Sequence, residues 1–424
     1  MRRRKGLYRP VRLRYDYNRQ PNKGVMMVND EFRRFVDRHR NEDVAKLRLK
    51  YHCCGQAWVE AAINHIECLK KCGRKFGAFQ PELMTSPLSV EQATSESVAR
   101  LHAAIAKETV ANPKRILDMT CGMGIDLRAI SEALTCKAVG IELSESGAET
   151  ARYNFRDNPD VAIITGDSVE WLKKYDGDKF DLVFIDPARR GEIGERVYNI
   201  RDCRPDLMGL LPLLASKCRY AMAKLSPMLD ITQTLRDLPQ ARKLYVAEEG
   251  GECRELLALL DFERSDKHVE IVVTDGAAEY RFDPEDERSA RETFAPPVVG
   301  DFLFEPGAAA MKAAPFGLLC RSNGLKKLHC NTHLFVAASV VGNLPGKWYR
   351  IDGVSDMSSR SLKALGKRLG RADVAVRNHP LRPEEMQKRL GIKSGGRHRL
   401  IGCTTGDAAS RTESGVVLVL SRCE

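Results

Sequence analysis

The segment R-I-L-D-M-T-C-G-M-G-I-D, residues 115–126, decides the fold of this chain. Ile116 and Leu117 end a short buried strand that stops at Asp118, and a tight glycine-containing turn follows at residues 121–124. Apolar residues at helical spacing come next. Glycines let a backbone approach a ligand closely, and the N-terminus of the following helix offers free N–H groups. The segment therefore predicts the strand–turn–helix opening of a nucleotide-type α/β domain.

The glycine pattern of this turn narrows the choice of ligand. A dinucleotide site has the fingerprint G-x-G-x-x-G, and Leu127 occupies the third glycine position here, which disfavours NAD and FAD. No G-K-[S/T] follows, so a Walker A loop is also disfavoured. Asp118 favours S-adenosylmethionine, because a carboxylate at a strand end can hold the ammonium group of its methionine part. The pattern D-x-x-C-G-x-G resembles motif I of class I methyltransferases, and a glycine-rich turn without a ligand is the alternative.

The length and charge of the chain indicate several domains and an anionic partner. Its 424 residues suggest two to four domains. The net charge of +11 favours RNA or DNA as the partner. No apolar run is long enough to span a bilayer and no signal peptide is recognisable, so we expect no membrane partner and a cytoplasmic location. The 13 cysteines are scattered, which is typical of reduced thiols rather than of a disulfide-rich secreted scaffold.

Two different segments precede the central turn. Residues 1–27 are rich in arginine and tyrosine and predict a flexible basic arm, which either stays solvated or contacts nucleic acid. The next apolar residues recur every three or four positions, which predicts a helical domain over 28–110. His65, Cys68 and Cys72 share one face of a helix there, but their spacing matches no standard zinc module, so no metal site is predicted.

The last part of the helical domain, residues 89–110, is predicted to be one helix. It either packs on the edge of the sheet or forms a lid over the methionine end of the cofactor. In the second case, Gln92, Ser95 or Glu96 would contact the cofactor. The order of the elements does not decide between these two interpretations.

After the turn, strands alternate with helices, which predicts a parallel, doubly wound, seven-stranded sheet over residues 111–275. The apolar run 252–260 is predicted to be a helix between the last two strands. Four strands end at an acidic residue, and the carboxyl ends of parallel strands are where such folds bind ligands. These acidic residues are Asp118, Glu142, Asp167 and Asp186.

The acidic residues suggest how S-adenosylmethionine would be bound. Asp118 would hold the ammonium group, Glu142 would accept two hydrogen bonds from the ribose diol, and Asp167 would accept one from the adenine amino group. An ordinary surface acid is the alternative for Glu142. The rest of the predicted cofactor site consists of neighbouring residues in the same loops: Thr120, Cys121, Gly122, Gly124, Asp126, Leu143 and Ser168.

Several long motifs, in order along the chain, resemble a family of bacterial class I methyltransferase-like proteins with a C-terminal THUMP-like domain. The resemblance covers residues 28–422 and implies an N-terminal helical region, a Rossmann-like methyltransferase core, a small ferredoxin-like domain and the THUMP-like domain. Because THUMP domains proper bind tRNA, the resemblance also implies RNA as the substrate. The matching motifs are S-V-E-Q-A-T-S-E (89–96), L-D-M-T-C-G-M-G-I-D (117–126), I-D-P-A-R-R (185–190), K-L-S-P-M-L-D-I (224–231), G-E-C-R-E-L-L (251–257), F-L-F-E-P-G-A-A-A-M-K (302–312), K-L-H-C-N-T-H-L-F (327–335) and R-N-H-P-L (377–381).

The motif at 185–190 is the predicted acceptor site. In amino-methylating enzymes this position carries [D/N]-P-P-[aromatic], whose first residue orients the target amine and whose aromatic ring stacks on a flipped base. Asp186 and Pro187 match it and are the predicted catalytic residues. Ala188 replaces the second proline and Arg189 stands at the aromatic position, which puts simple base N-methylation in doubt. The predicted substrate-binding residues are Arg189, Arg190, Lys224 and Ser226. Arginine can stack on bases and pair with phosphates, but structural ion pairs would explain the two arginines equally well.

The composition changes after residue 275. We predict a ferredoxin-like α+β domain over 276–345, with a helix at 308–319 and a strand at 328–338, and a THUMP-like domain over 346–424. The THUMP-like region has more basic than acidic residues, which indicates either a face that follows phosphates or a generally solvated surface. Its basic residues include Lys363, Lys367, Arg368, Arg371, Arg377, Arg382, Lys388, Arg389, Lys393, Arg397 and Arg399.

The leading hypothesis is methyl transfer from S-adenosylmethionine to RNA, either tRNA or rRNA. The second hypothesis is an RNA-binding protein that keeps a methyltransferase fold as a scaffold or sensor without turnover. A third, methylation of a small molecule or a protein, is disfavoured by the large basic appendages. The sequence indicates neither the modified atom nor the oligomeric state.

Overall fold

The computed structural model describes residues 28–189, 200, 203–406 and 413–423, which form a helical region followed by two large sheets. The predicted basic arm, residues 1–27, and Arg190 lie outside these residues. Within the described ranges, no helix is both long and apolar enough to cross a membrane.

The N-terminal region consists of five helices. Side-chain caps begin the first two: Asn29 accepts the N–H of Phe32 at 2.8 Å, and Asp43 accepts that of Lys46 at 3.0 Å. Aromatic and aliphatic side chains of these helices, such as Phe32, pack together in a small core of their own. The helices are α1 (Asp30–His39), α2 (Val44–Tyr51), α3 (Ala57–Cys72), α4 (Pro87–Gln92) and α5 (Glu96–Thr109), with a 3-10 turn at Gly77–Phe79 before α4.

The single helix predicted at 89–110 is wrong, because the structure has two helices there, α4 and α5. Ala93 is extended, with φ −64° and ψ 153°, and Ser95 is the N-cap of α5. Thr94 lies in the break and is only 6% exposed. Its hydroxyl donates to Asp126 at 2.6 Å, and this buried contact outweighs the local preference for a continuous helix.

A nine-stranded sheet follows, in the order β11-β10-β8-β9-β7-β4-β1-β2-β3. All seven predicted strands are present, and β9 and β11 are additional. A short two-stranded ribbon lies outside the sheet. The sheet strands are β1 (Arg115–Asp118), β2 (Lys137–Glu142), β3 (Val161–Thr165), β4 (Phe180–Ile185), β7 (Cys218–Leu225), β8 (Ala241–Glu249), β9 (Glu252–Asp261), β10 (Glu270–Thr274) and β11 (Glu279–Phe282), and the ribbon strands are β5 (Ala188–Arg189) and β6 (Cys203–Arg204).

The helix predicted at 252–260 is wrong, because this run is strand β9, antiparallel to both β7 and β8. Leu256, Leu257 and Leu260 are fully buried, since the strand lies inside the sheet between two neighbours. A continuous apolar run does not distinguish a strand buried on both faces from a buried helix. The sheet is therefore mixed rather than parallel throughout.

Helices cover both faces of the sheet, as expected for a doubly wound fold. Ile105 of α5 and Ile130 belong to the core on one face, and Leu210 and Leu214 to the core on the other. The helices that follow α5 in this region are α6 (Ile125–Leu134), α7 (Glu145–Asn154), α8 (Ser168–Lys174), α9 (Leu207–Lys217), α10 (Ile231–Asp237) and α11 (Pro284–Ser289). The carboxyl ends of β1, β2, β3, β4 and β7 are consequently left open at one edge.

The C-terminal region is built on a second sheet of seven strands, in the order β13-β14-β12-β15-β18-β17-β16. Strand β15 pairs with both β12 and β18, so the predicted ferredoxin-like and THUMP-like parts share one sheet. Helix α12 packs back on the first sheet, where Ala309 joins the core. The elements are β12 (Phe302–Pro306), α12 (Ala308–Ala313), α13 (Phe316–Asn323), β13 (Lys326–His329), β14 (Thr332–Ala337), β15 (Gly346–Asp356), α14 (Ser359–Leu369), β16 (Asp373–Arg377), α15 (Pro383–Leu390), β17 (Arg399–Thr405) and β18 (Ser414–Arg422).

Two predicted elements of this region are each divided in the structure. The helix predicted at 308–319 is α12 and α13, because Ala314 has a left-handed backbone with φ +52° and Pro315 follows it. The strand predicted at 328–338 is the hairpin of β13 and β14. In both places a local turn interrupts an otherwise apolar run.

Candidate cofactor and acceptor site

A cavity of about 1480 Å³ lies at the open edge of the first sheet. The turn after β1 contributes Thr120 and Gly122 to its wall, and Glu142, Asp167 and Asp186 line it from the ends of the next strands. Other predicted site residues that line the cavity are Cys121, Asp126, Leu143, Ser168, Pro187, Lys224 and Ser226. The structure therefore brings most of the predicted residues to one place.

Asp118 lies beneath the turn and is only 2% exposed. It accepts the N–H of Thr120 at 2.9 Å and is not among the described residues that line the cavity. Burial raises the pKa of Asp118 to about 8, although the Thr120 N–H opposes that rise. Burial therefore favours the protonated form of Asp118. Its observed contact supports the turn, and direct binding of an ammonium group stays a prediction.

The turn itself is held close to β2 and opens helix α6. The N–H of Cys121 donates to the carbonyl of Ile141 at 3.0 Å. Gly124 has φ +87° at the N-cap of α6, and a Cβ there would lie 2.3 Å from the ring of Phe155. Only glycine allows both this backbone conformation and this approach.

Glu142 and Asp167 accept backbone hydrogen bonds at the ends of β2 and β3. The Glu142 carboxylate accepts the N–H of Gly122 at 3.0 Å and that of Ser144 at 2.8 Å. One oxygen of Asp167 caps α8 by accepting the N–H groups of Val169 and Glu170. Carboxylate oxygens can accept more than one hydrogen bond each, so both side chains keep capacity for a ligand.

Asp186 and Lys224 form an ion pair in the wall of the cavity. They lie at the ends of the neighbouring parallel strands β4 and β7. Lys224 Nζ donates to Asp186 Oδ2 at 2.8 Å and to Thr94 Oγ1 at 3.2 Å. The backbone N–H of Asp186 donates to Thr120 Oγ1 at 2.7 Å, which ties β4 to the turn after β1. The Asp186 side chain is 37% exposed and that of Lys224 is 18% exposed, so the carboxylate is the more accessible partner.

His102 joins two buried carboxylates behind this ion pair. Its Nδ1 lies 2.8 Å from Asp126 Oδ1, and its Nε2 lies 2.6 Å from Glu255 Oε1. Burial would lower the pKa of His102, but the two carboxylates raise it to about 10. Both ring nitrogens therefore carry a proton at neutral pH and donate. The Thr94 hydroxyl donates to Asp126 Oδ2 at 2.6 Å and accepts from Lys224, which connects the two groups.

These side chains form a continuous set that we call the charge network. Three carboxylates and two cations leave one excess negative charge beside the cavity. Burial would lower the pKa of Lys224, but the three surrounding carboxylates raise it, so its ammonium stays charged. The charge network consists of Glu255, His102, Asp126, Thr94, Lys224 and Asp186.

Five further predicted residues differ in their position relative to the cavity. Ser95 donates to Glu249 at 2.7 Å and Glu96 pairs with Arg100 at 2.6 Å, whereas Gln92 lines the cavity. The backbone of Arg189 pairs with Cys203 in the short ribbon, and Arg190 is outside the described residues.

The His and Cys residues of α3 have structural surroundings. His65 Nδ1 accepts the N–H of Met84 at 3.2 Å, and burial raises the pKa of Cys68 to about 12. Cys72 is also buried. These side chains belong to the packing of the helical region.

Three family models each match a different part of the chain. A methyltransferase domain matches residues 116–189, a ferredoxin-like domain matches 302–345 and a THUMP domain-like model matches 346–422. A crystal structure assigned as a methyltransferase from Porphyromonas gingivalis W83 is 27% identical, with a TM-score of 0.80 over 93% of this chain and 98% of that chain. The chain is a class I methyltransferase-fold protein with ferredoxin-like and THUMP-like domains.

Two other solved structures are similar over a smaller part of this methyltransferase-fold protein. An RNA methyltransferase from Salinibacter ruber in complex with S-adenosyl-L-homocysteine is 13% identical, with a TM-score of 0.29 over 41% of this chain and 97% of that chain. The O-methyltransferase TomG from Streptomyces achromogenes in complex with SAM is 20% identical, with a TM-score of 0.27 over 38% and 65% of the two chains. No curated protein matches the chain.

Sequence reasoning missed Thr94, His102 and Glu255 as residues of the site. Thr94 and Glu255 fall in the motifs at 89–96 and 251–257, so those motifs were the available signal. His102 lies outside every quoted motif, and a single histidine on a helix has no local pattern that indicates a buried ionic contact. Its role follows only from the packing of α5 against the sheet.

Proposed function

We propose that this methyltransferase-fold protein transfers a methyl group from S-adenosylmethionine to RNA, either tRNA or rRNA. The observation that carries the proposal is that Glu142, Asp167 and Asp186, at consecutive strand ends, line one shared cavity. Its wall has one excess negative charge from the charge network, which suits the positively charged sulfonium centre of the cofactor. Residues 111–275 would hold the cofactor and residues 346–424 would bind RNA.

The cofactor would extend from the ends of β2 and β3 toward the end of β4. Glu142 would accept the ribose hydroxyls and Asp167 the adenine amino group, in addition to their backbone contacts. Gly122 and Gly124 would leave room for the methionine part beside Asp126. Asp118 would support the turn through its contact with Thr120, and binding of the cofactor's ammonium group by Asp118 stays a prediction. When bound, the cofactor would supply the electrophilic methyl group, and Asp186 would orient the acceptor.

The support for RNA comes from the C-terminal region. The THUMP-like match covers residues 346–422. Helices α14 and α15 present exposed basic side chains, among them Lys363, Lys367 and Arg389. Arg377 and Arg399 instead pair with Glu305 of β12, at 2.7 and 3.0 Å, and join the two parts of the second sheet. The exposed basic residues are the ones available for phosphates.

Isothermal titration with S-adenosylmethionine and S-adenosylhomocysteine tests the cofactor assignment. Glu142→Gln keeps the shape of the side chain but loses its charge, and a hydrogen bond to a charged group contributes about 1.5–3 kcal/mol. We therefore expect the dissociation constants to rise roughly tenfold or more. The matched control is Glu145→Gln, three residues away on α7, whose carboxylate is 67% exposed in the wild type. Its affinity should equal that of the wild type.

Two results would contradict parts of this proposal. Absence of binding by the wild type at millimolar ligand would remove the cofactor role. Micromolar binding without transfer of labelled methyl to any RNA would favour the scaffold hypothesis instead.

A further inference from the structure

The ion pair between Asp186 and Lys224 restricts the kind of atom that can be methylated. A carboxylate or amide orients an amine acceptor by accepting its N–H groups. The nitrogen becomes cationic as it is methylated, which a neighbouring ammonium group disfavours. Here Lys224 Nζ donates to Asp186 Oδ2 at 2.8 Å, so an ammonium group lies beside the carboxylate that would orient an amine. Ala188 and Arg189 also replace the residues that would hold a flipped base in an amino-methylating enzyme.

We propose that the acceptor is a hydroxyl oxygen, and specifically a ribose 2′-hydroxyl of RNA. This inference rests on the proposed function and names its substrate atom. A hydroxyl becomes more nucleophilic as its proton leaves, and negative charge then develops on the oxygen. A fixed ammonium group next to that oxygen stabilises the charge, whereas it would repel the cationic nitrogen that forms from an amine.

The charge network keeps the Lys224 ammonium in one position. Lys224 Nζ makes two hydrogen bonds in the part of the chain that the structure describes, to Asp186 and Thr94. An ammonium has three protons, which leaves one for an oxygen in the cavity. Thr94 is held in turn by Asp126, and Asp126 by His102. A donor that is already oriented costs no reorganisation during the reaction.

The hydroxyl, the cofactor and Asp186 together account for every bond, electron pair and proton of the transfer step. The 2′-oxygen attacks the methyl carbon of the sulfonium, the new C–O bond forms, and the C–S bond breaks with its electron pair going to sulfur. The products are a 2′-O-methyl ribose and neutral S-adenosylhomocysteine. The hydroxyl proton goes to the carboxylate of Asp186, whose side chain is 37% exposed and can release it to solvent.

A ribose acceptor also explains why the site needs no aromatic residue at position 189. The 2′-hydroxyl lies on the backbone side of a nucleotide, so it reaches the cofactor without extrusion of the base. Arg204 lines the same cavity and is exposed, and it can contact the adjacent phosphate. The site therefore matches the groups that a ribose and its phosphate present.

The experiment uses the full chain, S-adenosylmethionine labelled in the methyl group, and total RNA from cells that lack the gene for this chain. Alkali cleaves RNA through the 2′-hydroxyl, so a 2′-O-methyl group protects the adjacent bond. We expect the label in alkali-stable dinucleotides. Label in mononucleotides, on the bases, would overturn the inference and leave the proposed function standing. Absence of label from all RNA, with S-adenosylhomocysteine still bound, would overturn both.

Substitutions of Lys224 test the role of its ammonium group. Lys224→Met should lower the single-turnover rate about 10²–10³-fold, the effect of losing one donor to a developing oxyanion, while S-adenosylhomocysteine still binds. Lys224→Arg keeps the charge and should recover part of the rate, which separates electrostatics from a folding defect. The matched control is Lys243→Met, since Lys243 of strand β8 in the same sheet is 14% exposed and pairs with Glu108 of α5, away from the cavity. An unchanged rate in Lys224→Met would overturn the inference.

Discussion

At the scale of single residues, His102 sets the charge balance of the site. The pKa of His102 is raised from 6.5 to about 10, because the attraction of Glu255 and Asp126 outweighs burial. Its protonation therefore stabilises the folded chain fully below about pH 6.5, and this contribution is lost as the pH rises toward 10. His102→Gln leaves two buried carboxylates without their cation and should lower the free energy of unfolding by about 3–5 kcal/mol at pH 6. Urea titrations at pH 6 and pH 9 should show a smaller loss at pH 9.

The control at this scale is a histidine in an exposed ion pair. His268 is 66% exposed and lies 2.8 Å from Asp283. His268→Gln should change the free energy of unfolding by less than about 0.5 kcal/mol. Equal losses in the two variants, or a loss in His102→Gln that is the same at both pH values, would contradict the assignment of a buried imidazolium.

At the scale of elements, the turn between β1 and α6 depends on Gly124. Its φ of +87° costs an L-residue about 1–2 kcal/mol, and a Cβ would lie 2.3 Å from the ring of Phe155. Relief of that overlap adds about 1–3 kcal/mol, because the ring is buried and has little room to move. Gly124→Ala should therefore lower the urea midpoint of unfolding markedly and weaken S-adenosylhomocysteine binding, since α6 begins at the cavity.

Gly276 supplies a matched control for this turn. It has φ +86°, and no atom lies within 4 Å of the position of its Cβ. Gly276→Ala introduces only backbone strain, so it should lower the stability less than Gly124→Ala does. It should also bind S-adenosylhomocysteine as the wild type does, because the turn between β10 and β11 is remote from the cavity. Identical losses would show that the contact with Phe155 is easily relieved.

At the scale of the whole molecule, the basic helices of the second sheet are the expected RNA surface. Lys363 and Lys367 are exposed and lie four residues apart on α14, so they share a face. Replacing both with glutamate should weaken RNA binding, and the slope of log K against log salt should fall by about 1 for each lost phosphate contact. Filter binding of total RNA at several salt concentrations measures both quantities.

The control for this surface is Lys267→Glu. Lys267 is exposed in the loop before β10 of the first sheet. A single reversal there should leave the salt slope unchanged if RNA binds through the THUMP-like region. An equal effect per charge at Lys267 would indicate that the overall positive charge, rather than this face, attracts RNA.

Local patterns were sufficient for the fold class and for much of the cavity. A strand that ends at an acidic residue and is followed by a turn or helix has a recognisable sequence, so Glu142, Asp167 and Asp186 could be placed at one edge of a sheet. Asp118 was placed at the same edge, but the structure buries it beneath the turn. A sequence pattern locates the residue along a strand, but it does not tell whether the side chain lines the cavity or is buried beneath the turn.

Local patterns failed where tertiary contacts decide the conformation. Strand β9 has the composition of a buried helix, and only its pairing with β7 and β8 makes it a strand. The break at Thr94 depends on a hydrogen bond to Asp126, 32 residues away. The contact of His102 with Glu255 spans 153 residues. No short window of sequence contains both partners of these contacts.

The amino-acid sequence thus specifies the methyltransferase-type core, the glycine turn and the acidic strand ends, because each depends on neighbours along the chain. The charge network, the ion pair of Lys224 with Asp186 and the union of the two C-terminal parts in one sheet depend on folding. They require side chains from distant strands and helices to meet in a buried place, where the interaction of charges is strong enough to fix their protonation and their positions.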